Sequence, residues 1–426
     1  MSRFIPQFDS EDLRRIQDDG VRRTVLNACS RSPAYRAKFA AAGIDPRAVR
    51  GLEDLDKLPF TDADDLRLGY PLPLLSVPES EVVRVHASSG TTGKRKILAY
   101  TQEDVGTFAL QMARCFELAG LTPQDRVQIA VGYGLWTAGV GFQAGCELFG
   151  ALAVPVGAGN LEIQLQMLTD LGSTCLCSTA SMALLMGEEV QRNNLADKVK
   201  LRTVIFGSEG YSPKMRRSFE RALGIEQSFD IGGMTEMYGP GTALECRVHE
   251  GLHYWADLFV IEIVDPAGLQ PVPHGQTGEM VVTSLRKEAC PLIRYRTGDL
   301  SRLLPAPCPC GCSMPRHDRL IGRADDMIIF RGVNIYPGQI TDIMQYYAEL
   351  GSEYHINLIR KDGLDSMLLE VERAEGAGGD ADAHLAARVA KSLHSRVLIS
   401  AEVRIVNPGT LPRSFGKSRR VTDTRL

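Results

Sequence analysis

Apolar and polar positions along the chain follow two rhythms that switch at readable points. Over residues 9–42 the apolar residues recur at helical spacing, with Leu13, Ile16, Val21, Val25 and Leu26 on one face, Asp9 or Ser10 placed to cap the start, and Pro33 interrupting. From residue 82 to about 320, short strand-like runs (127–131, 151–156, 174–177, 203–206) alternate with helical stretches such as 212–223. Continuous apolar strands separated by helices suit a sheet covered on both faces, so the rhythm predicts α/β layering. Residues 260–264 and 278–283 instead predict antiparallel strands joined through the Pro/Gly-rich turn at 271–275.

A smaller unit is predicted to begin near Asp325. It reads as a capped helix after Pro337, a hairpin (355–360 and 367–372), a flexible linker (374–383), a helix with Leu385, Val389, Leu393 and Val397 on one face, and a last strand at 402–406. The expected division is therefore 1–324 and 325–426.

Bulk properties narrow the class. A chain of 426 residues is long for one core, and 44% hydrophobic with 23% charged residues is the balance of a soluble globular protein. A net charge of −4 leaves no electrostatic footprint for nucleic acid, and neither a signal peptide nor a membrane span is readable, so the expectation is a cytoplasmic protein. Ten cysteines in this length are too sparse for a disulfide scaffold and read as thiols or metal ligands.

The densest chemical signal lies between the strand-like residues 82–86 and 97–100. Ser88-Ser89-Gly90-Thr91-Thr92-Gly93-Lys94 contains only small, hydroxylated and glycine residues closed by a lysine. Glycines let backbone N–H groups turn around an anion, hydroxyls add donors and the lysine adds charge, a combination suited to phosphate. Ser88 five positions before Gly93, and Arg95 after the lysine, exclude the Walker pattern. A second signal is Cys308-Pro309-Cys310-Gly311-Cys312, three thiols in a loop, which suits a tetrahedral thiolate site.

With four further runs the pattern becomes specific. Phe206-Gly207-Ser208-Glu209, Asp230-Ile231-Gly232-Gly233-Met234-Thr235-Glu236, Tyr295-Arg296-Thr297-Gly298-Asp299 and Gly322-Arg323-Ala324-Asp325-Asp326, followed by a terminal Gly416-Lys417, stand in the order of the adenylate-forming enzymes. The chain resembles that superfamily over nearly its whole length. Within it, residues 82–93, Gly239-Pro240-Gly241 with Glu245-Cys246, residues 283–289 and residues 331–337 look like the phenylacetate–CoA ligase family.

That resemblance implies a fold and a reaction. The fold would be a large multi-sheet α/β domain carrying a small mobile α+β domain, hinged at Asp325. The enzyme would join an aryl or arylacetic acid to ATP as an acyl-adenylate and pass the acyl group to coenzyme A. Lys417 would bridge carboxylate and α-phosphate, Thr235 would contact the α-phosphate, and Glu236 would hold Mg²⁺. Residues Ser88, Ser89, Gly90, Thr91, Thr92, Gly93 and Lys94 would hold the outer phosphates. Gly207, Ser208, Glu209, Asp230, Ile231 and Gly232 would border the nucleotide, Asp299 and Arg323 its ribose, and Gly332 the entry of the pantetheine arm. Gly232 replaces the tyrosine most relatives use against adenine, with Phe206, Tyr238 or Ile231 as compensating rings or walls. The acid would lie among Tyr133, Gly134, Trp136, Phe206, Tyr238, Gly239 and Pro240. By the same analogy Cys246 and His253 face the cysteine loop, giving Cys246, His253, Cys308 and Cys310 as ligands of a structural Zn²⁺, with Cys312 and His249 in reserve.

Small molecules, the acid and CoA, are then the expected partners, with no nucleic acid or membrane, and a homodimer is the assembly allowed for. The competing readings are an adenylating enzyme serving a carrier-protein thiol, an amine or a deazaflavin, and a zinc- and nucleotide-binding protein without catalysis.

Overall fold

The helical spacing of residues 9–42 is realised as α1 (Ser10–Arg31) and α2 (Pro33–Ala41), with the Asp9 side chain accepting the Asp12 N–H at the start and Pro33 opening the second helix. Proline lacks the N–H that would continue α1 but fits a first helical turn, so the chain breaks at Ser32 and resumes. In this computed structural model the described residues are 3–425 except 89–94, 306, 325–327, 332, 336, 362–363, 375, 377, 379–380, 398 and 412–419. They fall into two units, Met1–Gly210 with Arg216–Arg319, and Tyr211–Met215 with Leu320–Leu426.

In the first unit a hairpin of β1 (Arg84–Ala87) and β2 (Ile97–Tyr100) leads to α3 (Gln102–Leu118). Strands β3 (Arg126–Ile129), β4 (Leu152–Val154), β5 (Cys175–Thr179), β6 (Thr203–Gly207) and β7 (Gln227–Met234) are parallel, in the order β4-β3-β5-β6-β7. Helices α4 (Ala138–Phe149), α5 (Leu161–Asp170) and α6 (Ala180–Arg192) connect them, with α7 (Pro213–Leu223) between β6 and β7. After β7 the sheet turns antiparallel through β8 (Gly239–Glu245) and β9 (Leu252–Tyr254). A separate antiparallel ladder runs β10 (Phe259–Val264), β11 (Gly278–Ser284), β12 (Tyr295–Ser301). The short β13 (Leu303–Leu304) and β14 (Arg316–His317) then close the edge of the large sheet beside β9.

The parallel strands are buried on both faces, as their continuous apolar runs require: Val127, Ile129, Cys175, Cys177 and Ile205 all lie in the core. Each such side chain is worth about 1.5–3 kcal/mol of transfer free energy. Helix α1 braces the end of β11, where Thr24 Oγ1 donates to the Ser284 carbonyl at 2.9 Å and Arg23 to that of Leu285 at 2.9 Å.

In the second unit, strands Leu350–Lys361 and Leu364–Arg373 pair antiparallel, flanked in parallel by Val421–Asp423 and Glu402–Val406. Helices Pro337–Met344 and Asp382–Val397 contribute Ile340, Ile343, Val389 and Leu393 to a core of its own. Among the described residues no helix is long and apolar enough to cross a membrane.

Candidate active site

The site is built where β7 ends. Residues 235–238 turn the chain back into β8, and the strands pinch so closely that a Cβ on Gly233 would lie 2.3 Å from the Gly239 carbonyl oxygen. Only glycine permits that approach. Tyr238 closes the turn in the left-handed region at φ 69°.

The turn lifts Glu236 into a buried position, 6% exposed, where the Lys96 ammonium sits on its carboxylate and the Tyr295 hydroxyl donates to Oε1 at 3.1 Å. Lys96 also donates to the Tyr295 hydroxyl at 3.3 Å. Burial alone pushes the Glu236 carboxyl up, but the Lys96 charge and hydrogen bond, with that of Tyr295, hold it below the usual carboxylate range. Glu236 is therefore an anion at neutral pH, with a cation already on it.

Behind the turn, Lys287 donates to the Glu236 carbonyl at 2.8 Å, its ammonium 4.6 Å and 4.8 Å from the ring centres of Tyr100 and Tyr238. Burial pulls the basicity of Lys287 down, while Cys290, Asp104 and Glu236 act against that pull. The Tyr100 hydroxyl donates to the Thr235 carbonyl at 3.1 Å. Asp104 gathers the rest: its carboxylate accepts the N–H groups of Thr101, Glu288 and Ala289 and the Tyr238 hydroxyl. With Thr101 it forms the capping box that starts α3.

Asp299 is displaced by a bulge. Val281 pairs with Arg296 and Glu279 with Leu300, so a two-residue step on β11 spans a four-residue step on β12. Residues 297–299 leave the ladder, with Gly298 at φ 75° and the Asp299 N–H donating to Thr297 Oγ1 at 2.9 Å. Bulges re-aim side chains beside active sites. Gly207 ends β6 directly opposite Ile231, Ser208 follows at φ 70°, and the Asp230 N–H donates to the Glu245 carboxylate at 3.2 Å. The Glu209 carboxylate accepts the Ser181 N–H.

The glycine-rich segment before α4 lies against both parts. The Leu135 carbonyl accepts the Ala87 N–H at 2.8 Å and faces His86 Nδ1 at 3.2 Å, tying the segment to β1. A Cβ on Gly139 would come within 2.5 Å of the Tyr133 ring, so that glycine is what lets the ring lie on the start of α4. Thr137 presses on Gly239 from the other side. Tyr133, Gly134, Trp136, Gly239 and Pro240 are thereby grouped, with Trp136 exposed and Tyr133 half-buried.

Two of the expected walls are buried. Phe206 has no exposed surface and packs edge-on against Phe219 at 5.1 Å, beneath α7. Tyr238 is 1% exposed, its hydroxyl spent on Asp104 and its ring turned to Lys287. At Gly232 a side chain would point toward Leu252 and Ala243.

At the far end of β8 a second cluster forms. One ligand atom each from Cys246, His253, Cys308 and Cys310 lie within 4.8 Å of one another. The Cys246 and Cys308 sulfurs are 3.7 Å apart and Cys310 Sγ is 3.3 Å from His253 Nε2. Thiolate sulfurs about 2.3 Å from a tetrahedral zinc would be about 3.8 Å apart, so the four fit such an ion. His253 Nδ1 lies 2.7 Å from the Met314 carbonyl, with Nε2 toward the thiols. Burial pushes His253 down to about 4, leaving a neutral ring. His249 instead pairs with Glu245 at 3.1 Å, and Cys312 stands outside the four.

Comparison with known proteins agrees with this geometry. The AMP-binding enzyme family model matches residues 6–285 and the AMP-binding enzyme C-terminal domain model residues 332–425. Phenylacetate-coenzyme A ligase of Escherichia coli (strain K12) is 40% identical over 97% of this chain and 95% of its own. That of Pseudomonas putida is 41% identical over 97% and 94%. The chain belongs to the phenylacetate–CoA ligase family.

Among solved structures, 2-hydroxyisobutyryl-CoA ligase in the postadenylation state with R3-HIB-AMP superposes with a TM-score of 0.86 at 29% identity, covering 99% of this chain and 92% of that one. MatB from Rhodopseudomonas palustris, at 18% identity, a TM-score of 0.59 and coverage of 80% and 67%, shares the fold. The chain is thus an adenylate-forming fold with a large N-terminal and a smaller C-terminal part.

Several expected residues of this phenylacetate–CoA ligase relative, Ser89, Gly90, Thr91, Thr92, Gly93, Lys94, Asp325, Gly332 and Lys417, lie outside the described residues. Ser88 is described, its N–H donating to the Lys96 carbonyl at 3.1 Å across the base of the loop. Arg323 lies on the short strand Gly322–Arg323 of the second unit. Sequence reasoning missed Lys96, Tyr295, Lys287 and Asp104. The Thr101-x-x-Asp104 spacing was a readable capping signal, whereas nothing local distinguishes Lys96 from Lys94.

Proposed function

We propose that this protein is an AMP-forming aryl-acid–CoA ligase that activates phenylacetate or a close relative. The observation that carries the reading is the ionised, buried Glu236 held by Lys96 at the mouth of the β7–β8 turn. A carboxylate paired with a lysine side chain can exchange that partner for a hard metal ion, for which oxygen is the preferred ligand. Mg²⁺ bound there would neutralise charge on the leaving pyrophosphate.

In the first step a carboxylate oxygen of the acid bonds to the α-phosphorus as the bond to pyrophosphate breaks. Lys96, released from Glu236, would face the departing phosphates, Thr235 the α-phosphate, and Lys417 both reacting anions. In the second step the CoA thiol, losing its proton, bonds to the acyl carbon and AMP leaves. Asp299, set off the ladder by the bulge, would serve the ribose hydroxyls. Tyr133 and Trp136 offer flat apolar surface to an aromatic acid.

Cys246, His253, Cys308 and Cys310 would hold a structural zinc ion, which supplies a cross-link between the end of β8 and the cysteine loop. Four protein ligands leave it no open position for catalysis. A pyrophosphate-release screen across aromatic acids with CoA, followed by product mass, tests the ligase reading. An acyl-CoA product supports it; adenylate without thioester transfers the reading to another acceptor; no pyrophosphate from any acid refutes it.

A further inference from the structure

Lys287 is 2% exposed, and its hydrogen bond among the described residues goes to a backbone carbonyl, that of Glu236. A buried ammonium is expensive to desolvate, and a lysine with no task would extend its amine to water. This one is enclosed instead. The rings of Tyr100 and Tyr238 face it from two sides, and the chain just beyond it is clamped, because Asp104 accepts the N–H groups of Glu288 at 2.9 Å and Ala289 at 3.0 Å.

Each wall of the enclosure also grips the turn that carries Glu236. Tyr100 bonds the Thr235 carbonyl, Lys287 the Glu236 carbonyl, and Tyr238, within the turn, shares Asp104 with the Lys287 strand end. From the outer side, α1 anchors the Ser284 and Leu285 carbonyls at the root of that segment. The Glu236 side chain is held by Lys96, but its backbone is held by Lys287.

We propose that Lys287 is a positioning residue for Glu236, fixing the turn so that the carboxylate keeps its direction when Lys96 gives way to metal-bound nucleotide. This rests on the reading of Glu236 as the Mg²⁺ carboxylate. A cation suits the task better than a neutral donor. Its charge lies behind the turn, on the Glu236 carbonyl, and favours the ionised carboxylate. The ring faces of Tyr100 and Tyr238 meet that charge at 4.6 Å and 4.8 Å.

The test uses the full chain and the variants Lys287→Met and Tyr100→Phe. Calorimetry measures ATP binding with and without Mg²⁺, and acid-dependent pyrophosphate release is followed against Mg²⁺ and against phenylacetate. Misplaced carboxylates lose metal-dependent steps selectively, so Lys287→Met is expected to weaken Mg²⁺–ATP binding about tenfold and lower kcat about thirtyfold or more. Binding of ATP without Mg²⁺ and the KM for acid should stay within about threefold of the parent. Tyr100→Phe keeps the ring and removes one bond to the turn, so it should shift Mg²⁺ half-saturation in the same direction by about threefold.

A folded Lys287→Met protein with parental Mg²⁺ dependence overturns the proposal, as does an equal loss in Mg²⁺ and acid dependence. Should Lys287→Met fail to fold, unchanged Mg²⁺ half-saturation in Tyr100→Phe overturns it. If the calorimetric effects appear but no acid yields pyrophosphate, the ligase reading falls and the positioning role stands. If the parent does not bind Mg²⁺–ATP, both fall.

Discussion

Lys96 rests its ammonium on the carboxylate of Glu236, a residue 140 positions away, in a pocket where the lysine side chain is 18% and the glutamate 7% exposed. The pair joins the start of β2 to the β7–β8 turn. A buried ion pair is only weakly stabilising against apolar replacement, yet removing one partner strands the other.

Glu236→Gln therefore has two readable effects. Acid-dependent pyrophosphate release should fall by about 10²-fold or more as the charge facing the nucleotide is lost. The folded-state pKa of Glu236 is depressed, so its stabilisation is present above the unfolded value of about 4.3 and drains away as pH falls through the lower folded value. Thermal unfolding from pH 7 to 3 should show the gap between parent and variant narrowing below about pH 4.3. A gap independent of pH would contradict the pairing.

Asp104 supports the same region by accepting four hydrogen bonds while fully buried. Asp104→Ala should cost about 3 kcal/mol or more in urea unfolding, since several buried donors lose a charged acceptor. Thr101→Ala, which removes the cap hydroxyl, should cost about 1 kcal/mol. Equal losses would mean that Asp104 serves only the helix start.

Arg114 and Asp257 form a two-pronged pair at 2.7 Å and 2.9 Å, both almost wholly buried, with the guanidinium 5.5 Å from the Trp255 ring centre. Arg114→Met alone should destabilise by about 3–5 kcal/mol because buried Asp257 keeps only the half-exposed Arg286, 3.9 Å away, as a cation. Pairing it with Asp257→Leu should recover a large part of that loss. A double variant no better than the single one would show that packing, not the stranded charge, sets the cost.

Gly139→Ala places a methyl where the Tyr133 ring lies. The ring must move, so KM for aryl acids should rise about tenfold while Mg²⁺–ATP binding stays within about twofold. A parallel loss of nucleotide binding would remove Tyr133 from the acid side of the site.

Metal content separates the cysteines. The purified chain should carry about one zinc, and Cys246→Ser should lose it and lower the unfolding temperature, because structural zinc contributes folding energy directly. Cys312→Ser should change neither. Less than half a zinc per chain in the parent, by elemental analysis, would refute the site.

Local pattern alone was enough for the layout. The period-2 and buried-run signals placed β3, β5, β6, β10 and β11, and Pro33 marked the break between α1 and α2, because these depend on neighbours within a few residues. The family resemblance carried by the motif runs pointed to Glu236 and Asp299, and the thiol triplet pointed to the cysteine loop, since short runs of fixed residue types are visible without a fold. What chain order could not reveal was partnership. Lys96 meets Glu236 from 140 positions away, Phe206 and Tyr238 are buried, and Lys287 lies buried behind the turn. Each depends on which strands stand side by side, where a bulge turns a side chain, and what water can reach. Those are distances between residues far apart in the chain, set only when the sheets close on one another.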